Sequence, residues 1–388
     1  MRSLIELMGE TATQVPVTDK FFERFGLGRN PFPPTRTIIP QILYNQQDAI
    51  TKFASRVKDL LQSEPQRRSL GVIGGTGGGK THFLRHCQYL MADFEKESGH
   101  RFVIVEFPAG TGSVVQLVRE VIRRADEQSR ERGEIDLLTA LVRKSDSDET
   151  LGVIRQPDLK SVMGLLIRAC AEGFVPPDRD RALTFDSLRE IAKKWLSASA
   201  LTQTERKYLG VFSRLATPSM AARVLGELLT LARRLNVFDG ALICIDELEA
   251  LFTSGLSTGR IQGFLQDLRY MFDDAVKGGE GYSLLVIGAS TGPGSVFLRD
   301  LNYPLYQRLG LEGDGRASLQ QIADADDARS FADTYIDFEC RRASEADVVR
   351  HSVSVAESRS LLSDEDIKSA YAAAVGANLL DGRIRRNS

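Results

Sequence analysis

Short apolar runs separated by longer amphipathic stretches form the dominant pattern of this chain. The runs are apolar at nearly every position instead of alternating with polar residues, which is typical of parallel strands buried on both faces. They cover 70–73, 101–107, 241–245 and 283–291, and a weaker run covers 317–322. Between them, apolar residues recur every three or four positions and predict helices. The alternation predicts an α/β fold with a parallel sheet and helices on both faces.

The spacing of these elements divides the chain into three predicted parts. Prolines at 31, 33, 34 and 40 predict that the lead-in, residues 1–45, is extended. The core is predicted over 46–322, and a small helical lid over 323–388. Within the core, the long gap between the first and third strands predicts an all-helical insertion at about 130–215. A polar loop is expected over 144–150 in this insertion.

Two helix starts carry capping signals. Thr217 and Pro218 predict the N-cap and first turn of a helix that ends near Leu235. Ser363 is followed by Asp-Glu-Asp, which predicts a capping box at the start of the final helix.

A glycine-rich loop follows the first strand and reads G-x-x-x-x-G-K-T. Its glycines allow backbone N–H groups to converge on phosphate oxygens, and the following helix adds its positive end. Lys80 is suited to the β- and γ-phosphates, and the Thr81 hydroxyl to Mg²⁺. A glycine-rich turn could match the pattern by chance, but strand, loop and helix occur in the required order. The predicted nucleotide-binding residues are Gly74, Gly75, Thr76, Gly77, Gly78, Gly79, Lys80, Thr81 and His82.

The third strand ends in two carboxylates, Asp246 and Glu247. Ligands of parallel sheets bind beyond the carboxyl ends of the strands, so these acids are expected to face the glycine loop. Asp246 is predicted to hold magnesium together with Thr81, and Glu247 to act as the general base. The alternative is a strand that simply ends in an exposed turn.

The fourth strand ends in two hydroxyls, Ser290 and Thr291. Either could touch the γ-phosphate and the attacking water, and either could instead cap a helix or form a turn. The pattern does not choose between them.

Composition narrows the class of protein. The 388 residues are 42% hydrophobic and 26% charged, as in ordinary globular proteins, and no apolar run approaches the ~20 residues of a membrane span. The first residues include acids and lack a signal-peptide core, so a cytoplasmic location is expected. Four scattered cysteines without a C-x-x-C pair predict neither a zinc site nor a disulfide framework. A net charge of −2 neither requires nor excludes DNA.

Taken together, the glycine loop, the Asp246-Glu247-Leu248-Glu249 segment, Trp195-Leu196 and the run 303–309 resemble the AAA+ ATPases of the Orc/Cdc6-like group. Within that group the chain is similar to the BrxD-type ATPases of BREX and related phage-defence clusters. The resemblance implies an AAA+-type P-loop core that uses ATP and Mg²⁺ in a homo-oligomeric ring or filament. It makes Ser290 or Thr291 the sensor 1 residue.

The resemblance also implies an arginine finger and partner proteins. Arg308 matches the place from which an arginine reaches a neighbouring subunit's γ-phosphate, although a surface or ion-paired role is the alternative. Arg383, Arg385 and Arg386 are candidates for a second sensing arginine. The chain ends too soon for the winged-helix DNA-binding domain of Orc/Cdc6-like proteins. We therefore expect action through partner proteins more than direct recognition of DNA.

Three functions are therefore expected from the sequence. The first is an oligomeric ATPase motor or switch in a DNA-processing or phage-defence system. The alternatives are an ATPase of replication or transposition type that loads on DNA, and a signalling NTPase scaffold with little turnover.

Overall fold

A computed structural model describes residues 18–32, 37–62, 69–75, 77–172, 183–253, 255–277, 283–290, 298–345 and 353–376. Its centre is a five-stranded sheet in which all paired strands are parallel. The strands are β1 (Ser69–Gly74), β2 (Phe102–Pro108), β3 (Gly240–Asp246), β4 (Ser283–Ser290) and β5 (Arg316–Ser318). Their spatial order is β2-β3-β4-β1-β5. The predicted parallel α/β architecture is confirmed.

Helices precede, connect and follow the strands. In chain order they are α1 (Thr18–Glu23), α2 (Gln47–Leu61), α3 (Lys80–Ser98), α4 (Val114–Glu131), α5 (Leu137–Arg143), α6 (Ser147–Val153), α7 (Pro157–Glu172), α8 (Phe185–Leu196), α9 (Gln203–Leu209), α10 (Pro218–Arg234), α11 (Ala250–Thr253), α12 (Thr258–Lys277), α13 (Tyr303–Arg308), α14 (Ala325–Glu345), α15 (Val355–Arg359) and α16 (Asp364–Gly376).

The alternation of side chains along β3 separates the two faces of the sheet. Ala241, Ile243 and Ile245 join one large apolar core together with residues of α4, α10 and α12. Cys244, which points to the opposite face, places its Sγ 3.8 Å from the Leu84 carbonyl oxygen of α3. Asp246 has the same parity as Cys244 and therefore lies on the α3 side.

The fifth strand is shorter than predicted. It pairs only with Gly71–Ile73 of β1, and the sequence had indicated a strand to Ile322. The amide of Gln320 donates instead to the Gln46 side chain (2.9 Å), and the Gln46 Nε2 donates back to the Gln320 carbonyl oxygen (2.8 Å). A side-chain amide thus takes the place of a strand partner and ends the ladder.

The region predicted as an all-helical insertion contains helices α5 to α9. Its helices share one apolar core with the sheet, and Trp195 is fully buried there with its Nε1 donating to the Ser213 carbonyl oxygen (3.1 Å). The prediction of a polar loop over 144–150 is wrong in its second half, because α6 begins at Ser147. Asp146 accepts the Thr150 amide (3.0 Å) through its carbonyl oxygen, so the polar run is a helix start rich in acids.

Other local predictions were corrected or confirmed. Thr217 is the N-cap of α10, but its side chain makes no capping hydrogen bond. The lead-in is not extended throughout: it contains the helix α1, which ends before the four prolines (31, 33, 34 and 40) on which the extended prediction rested. At the final helix the Ser363 hydroxyl accepts the Asp366 amide (3.1 Å), and Asp366 accepts the Ser363 amide (3.0 Å), as a capping box requires.

The described residues belong to two compact units. One contains those within Gln47–Gly75 and Gly79–Leu319, including the sheet. The other contains those within Met1–Gln46, Thr76–Gly78 and Gln320–Ser388, so the lead-in and the lid helices share a unit. In this second unit Arg29 donates to the fully buried Glu339 carboxylate through Nε (3.2 Å) and Nη2 (2.9 Å).

Candidate functional site

The glycine loop joins the carboxyl end of β1 to the start of α3. Gly77 (φ 73°) and Gly79 (φ 79°) have left-handed backbone conformations that favour glycine. Gly79 caps α3 without a side-chain hydrogen bond, and the first turn of the helix carries no acid. The positive end of the helix is therefore not neutralised by its own first turn, which suits it to an anion.

The other predicted nucleotide-binding residues flank the two left-handed glycines in sequence. Gly74 ends β1 and Gly75 follows it, while Gly78 lies between the two left-handed glycines. His82 is a half-buried residue in the first turn of α3. Thr76 lies outside the described residues.

The Lys80 ammonium is held by the loop and by two neighbouring strands. Lys80 is only 8% exposed, and its Nζ donates to the carbonyl oxygens of Gly74 (3.3 Å) and Gly75 (3.1 Å). It also donates to the Ser290 Oγ at the end of β4 (3.0 Å). The Glu249 Oε1 lies 3.6 Å from the same nitrogen. A buried positive charge is thus fixed at the carboxyl edge of the sheet.

Thr81 and Asp246 meet across the same edge. The Thr81 hydroxyl donates to Asp246 Oδ2 (2.7 Å), and Asp246 Oδ1 accepts the Glu247 amide (2.8 Å). A hydroxyl and a carboxylate are oxygen ligands that suit Mg²⁺, which proteins commonly hold through one or two such groups plus phosphates. Among the described residues, no cluster of three or more His, Cys, Asp or Glu could form an all-protein metal cage.

Glu247 differs from its neighbour Asp246 in both backbone and exposure. Its φ of 52° lies in the left-handed region, and its side chain is exposed, whereas Asp246 is 8% exposed. Non-glycine residues with this backbone cost free energy and occur preferentially at functional sites. The arrangement leaves a carboxylate in solvent directly beside a buried one.

Gly288 of β4 leaves room for the Asp246 carboxylate. A Cβ at this position would lie 3.1 Å from Asp246 Oδ1 and 3.3 Å from Leu84 Cδ1. Both contacts are tighter than ordinary van der Waals distances, so any larger residue would press on the carboxylate that Thr81 contacts.

Glu249 is the site residue to which sequence reasoning assigned no role. Its Oε2 accepts the Ser290 amide (3.0 Å) and its Oε1 accepts the Ser290 hydroxyl (2.5 Å). The only available signal was the acid three positions after Asp246. Of the two candidate hydroxyls, the structure brings Ser290 to Lys80, and Thr291 lies outside the described residues.

Arg308 is not brought to this site within one chain. It ends α13, and its carbonyl oxygen accepts the Ser69 hydroxyl (2.5 Å) at the first residue of β1. Five residue steps of strand separate Ser69 from Gly74, a distance of roughly 17 Å. The lid arginines Arg383, Arg385 and Arg386 lie outside the described residues.

Two buried thiols lie beneath the site on the α3 side. Burial raises the pKa of the Cys244 thiol and raises the pKa of the Cys87 thiol well above its usual value. Both therefore remain protonated near neutral pH, which excludes them as thiolate nucleophiles.

In the described part of the chain, none of the helices is both long and apolar enough to cross a bilayer.

Comparisons with known proteins show a distant structural likeness to solved structures. No family model matches the chain, and no curated protein matches it. Among solved structures, the chain is similar to the ORC2 protein of Aeropyrum pernix, solved as ADPNP–ADP complexes, with 9% sequence identity and a TM-score of 0.39. The alignment covers 81% of this chain and 55% of the ORC2 chain, little more than half of that protein. At this similarity the comparison adds no argument to the sheet and site described above.

Proposed function

We propose that this protein binds ATP with Mg²⁺ and hydrolyses it. One observation carries the proposal: Lys80, the Thr81–Asp246 pair and Ser290 converge at the carboxyl ends of β1, β3 and β4. These strands are consecutive in the sheet, and ligands of open parallel sheets bind in the crevice beyond such ends. The groups that converge there are those that recognise phosphate and its magnesium ion.

Each residue has a defined part in the proposed reaction. Lys80 would donate to the β- and γ-phosphate oxygens, and the loop amides would hold the remaining phosphate oxygens. Thr81 and Asp246 would hold the ion, which supplies charge neutralisation when bound. Glu247 would orient and deprotonate the attacking water, and its exposure leaves it accessible to that water. Ser290 would orient the terminal phosphate.

The finer proposal is an AAA+-type ATPase. It is supported by β4, which lies between the strand of the glycine loop and the strand that carries Asp246, as in additional-strand NTPases. The sequence likeness to Orc/Cdc6-like and BrxD-type ATPases extends the proposal to a homo-oligomer. That oligomer would act as a motor or switch with partner proteins in DNA processing or phage defence. Arg308 would then serve a neighbouring subunit rather than its own.

A binding and turnover experiment tests the proposal. Lys80→Ala should lower ATP affinity by about 100-fold, since two charge-assisted hydrogen bonds to phosphate are lost at about 1.5 kcal/mol or more each. Lys96→Ala is the matched control, because it removes an exposed lysine from the other end of α3. Calorimetric titration with MgATP measures the affinities, and phosphate release with and without DNA measures turnover. Equal affinities in the two variants would overturn the glycine-loop assignment.

A further inference from the structure

The Glu249 carboxylate gathers three donors of the proposed phosphate site. It lies in the short segment between β3 and α11, and its side chain is 25% exposed. One oxygen accepts the Ser290 amide, and the other accepts the Ser290 hydroxyl and lies 3.6 Å from Lys80 Nζ. An ammonium, a backbone N–H and a hydroxyl are the donors that bind phosphate oxygens in nucleotide sites.

We propose that Glu249 stands in for the terminal phosphate when no nucleotide is bound, and that ATP displaces it. Glu249 is then a positioning residue that holds Lys80 and Ser290 in place until the γ-phosphate arrives. This inference rests on the proposed ATP site, and it adds a competition that the site residues alone do not imply.

Charge explains why the two occupants exclude each other. The Lys80 ammonium is nearly buried and needs a nearby negative charge, which Glu249 supplies. A γ-phosphate on the same lysine and hydroxyl would meet the Glu249 carboxylate at close range, where like charges repel strongly. ATP must therefore displace the carboxylate, whereas ADP, which has no γ-phosphate, has less need to do so. Glu249 thus lowers the affinity for ATP relative to ADP.

The displacement would also reach the proposed base. Glu247 and Glu249 lie in one tight turn, in which the Ala250 amide donates to the Glu247 carbonyl oxygen (2.7 Å) and the Leu248 amide to the Gly288 carbonyl oxygen (3.1 Å). Movement of Glu249 away from Ser290 acts on the same turn that carries Glu247. Occupancy by a triphosphate is thereby linked to the position of the base.

Glu249→Gln tests the competition, because it keeps the shape and removes the charge. ATP should bind about tenfold more tightly, which is about 1.4 kcal/mol, while ADP affinity should stay within about twofold. Glu97→Gln is the matched control, since it removes one charge from the exposed far end of α3, about 25 Å from Lys80. Both nucleotides should bind to that control as they do to the wild type. Equal changes for ATP and ADP in Glu249→Gln would overturn the inference.

Thermal unfolding gives a readout that a purely structural role would not produce. The Tm of the empty Glu249→Gln protein should fall, because Lys80 loses its counter-charge, and the increase in Tm on adding MgATP should exceed that of the wild type. Equal losses of Tm with and without ATP would assign Glu249 to structure alone.

A second variant covers the case in which the glutamine protein does not fold. Glu249→Asp keeps the charge but draws it back from Lys80, so ATP should bind a few-fold more tightly, and an unchanged ATP-to-ADP ratio would overturn the inference. Lys80→Ala distinguishes failure of the proposed ATP site from failure of the proposed displacement of Glu249. If Lys80→Ala keeps its ATP affinity, the ATP site itself is wrong. If it loses the affinity, the ATP site holds, and the Glu249 variants alone decide whether ATP displaces Glu249.

Discussion

The two ends of β1 use glycine for opposite physical reasons. Beyond its carboxyl end, Gly79 needs a left-handed backbone, and a Cβ there would meet nothing within 4 Å. In the first half of the strand, a Cβ on Gly71 would lie 2.4 Å from the Gly310 carbonyl oxygen and 2.8 Å from Leu311 Cα. Conformation requires glycine in the loop, and close backbone contact requires it in the strand.

The two ends of β1 therefore have different structural roles. The contact of Gly71 with Gly310, together with the hydrogen bond from Ser69 to Arg308, fastens the turn after α13 to β1. Beyond the other end of the strand, a Cβ on Gly79 would meet nothing within 4 Å, while Lys80 contacts Ser290 and Thr81 contacts Asp246. The first half of β1 is therefore a packing contact, and its carboxyl end is the candidate chemical site. The following predictions test whether that division holds.

Arg308→Ala is expected to have the largest effect. It tests whether the turn that packs against the first half of β1 serves packing alone. If the arginine reaches a neighbour's γ-phosphate, ATP binding should persist while hydrolysis falls by about 10³–10⁵-fold, the usual worth of an arginine finger. Steady-state phosphate release measures this loss. Mixed oligomers of Arg308→Ala and Glu247→Gln subunits should recover partial activity, since some interfaces pair an intact base with an intact finger. Mixtures as inactive as either parent would assign Arg308 to packing alone.

Glu247→Gln tests the proposed chemistry at the carboxyl edge of the sheet. Loss of the base should reduce turnover by about 10²–10⁴-fold while ATP affinity and the free energy of unfolding change little, because the side chain is exposed. Single-turnover hydrolysis separates this step from product release. A rate within about threefold of wild type would contradict the role of Glu247 as base.

Gly71→Ala and Gly79→Ala test the two uses of glycine directly. Gly71→Ala should lower the free energy of unfolding by about 3 kcal/mol or more, because backbone atoms on both sides must separate. Gly79→Ala should cost only about 1–2 kcal/mol of left-handed strain. Urea denaturation measures both changes. Similar losses in the two variants would remove the distinction between the strand and the loop.

Gly288→Ala should have the smallest effect of these variants, and its main consequence should be a changed requirement for Mg²⁺. Its Cβ would press on Asp246 Oδ1, so we expect a loss of roughly 1 kcal/mol of stability from overpacking and a higher Mg²⁺ concentration for half-maximal turnover. Gly226→Ala in α10 is the control, since a Cβ there meets nothing within 4 Å and helix propensity favours alanine. An unchanged magnesium requirement in Gly288→Ala would show that Asp246 tolerates the contact.

Much of the fold could be predicted because its signals are local. The buried strands β1 to β4 appear as continuous apolar runs, and the turn glycines and the Lys-Thr pair are neighbours in sequence. Helix starts were harder to predict, since the acids and serines around Ser147 are typical of both a loop and a helix N-terminus. At the start of α10 the sequence predicted the N-cap residue, Thr217, but not the absence of a capping hydrogen bond from its side chain.

The remaining features depend on contacts between distant residues. Glu249 meets Ser290 across 41 positions, and no local pattern distinguishes this acid from a solvent-exposed one. A glycine inside a strand can mark a bulge, a bend or the close approach of another backbone, and the sequence around Gly71 does not identify Gly310 as its partner. Such pairings depend on how strands and loops align in three dimensions, which periodicity does not specify.

The ion pair between Arg29 and Glu339 has a consequence for synthesis. Its partners are separated by 310 residues, so the unit that contains both cannot close until the ribosome has passed residue 339. At 5–20 residues per second, the segment around Arg29 waits about 15–60 s for its partner. The five strands of the sheet lie between the two in sequence and are synthesised before residue 339. The segment around Arg29 is therefore synthesised long before its acidic partner, and in that interval a chaperone has access to the segment.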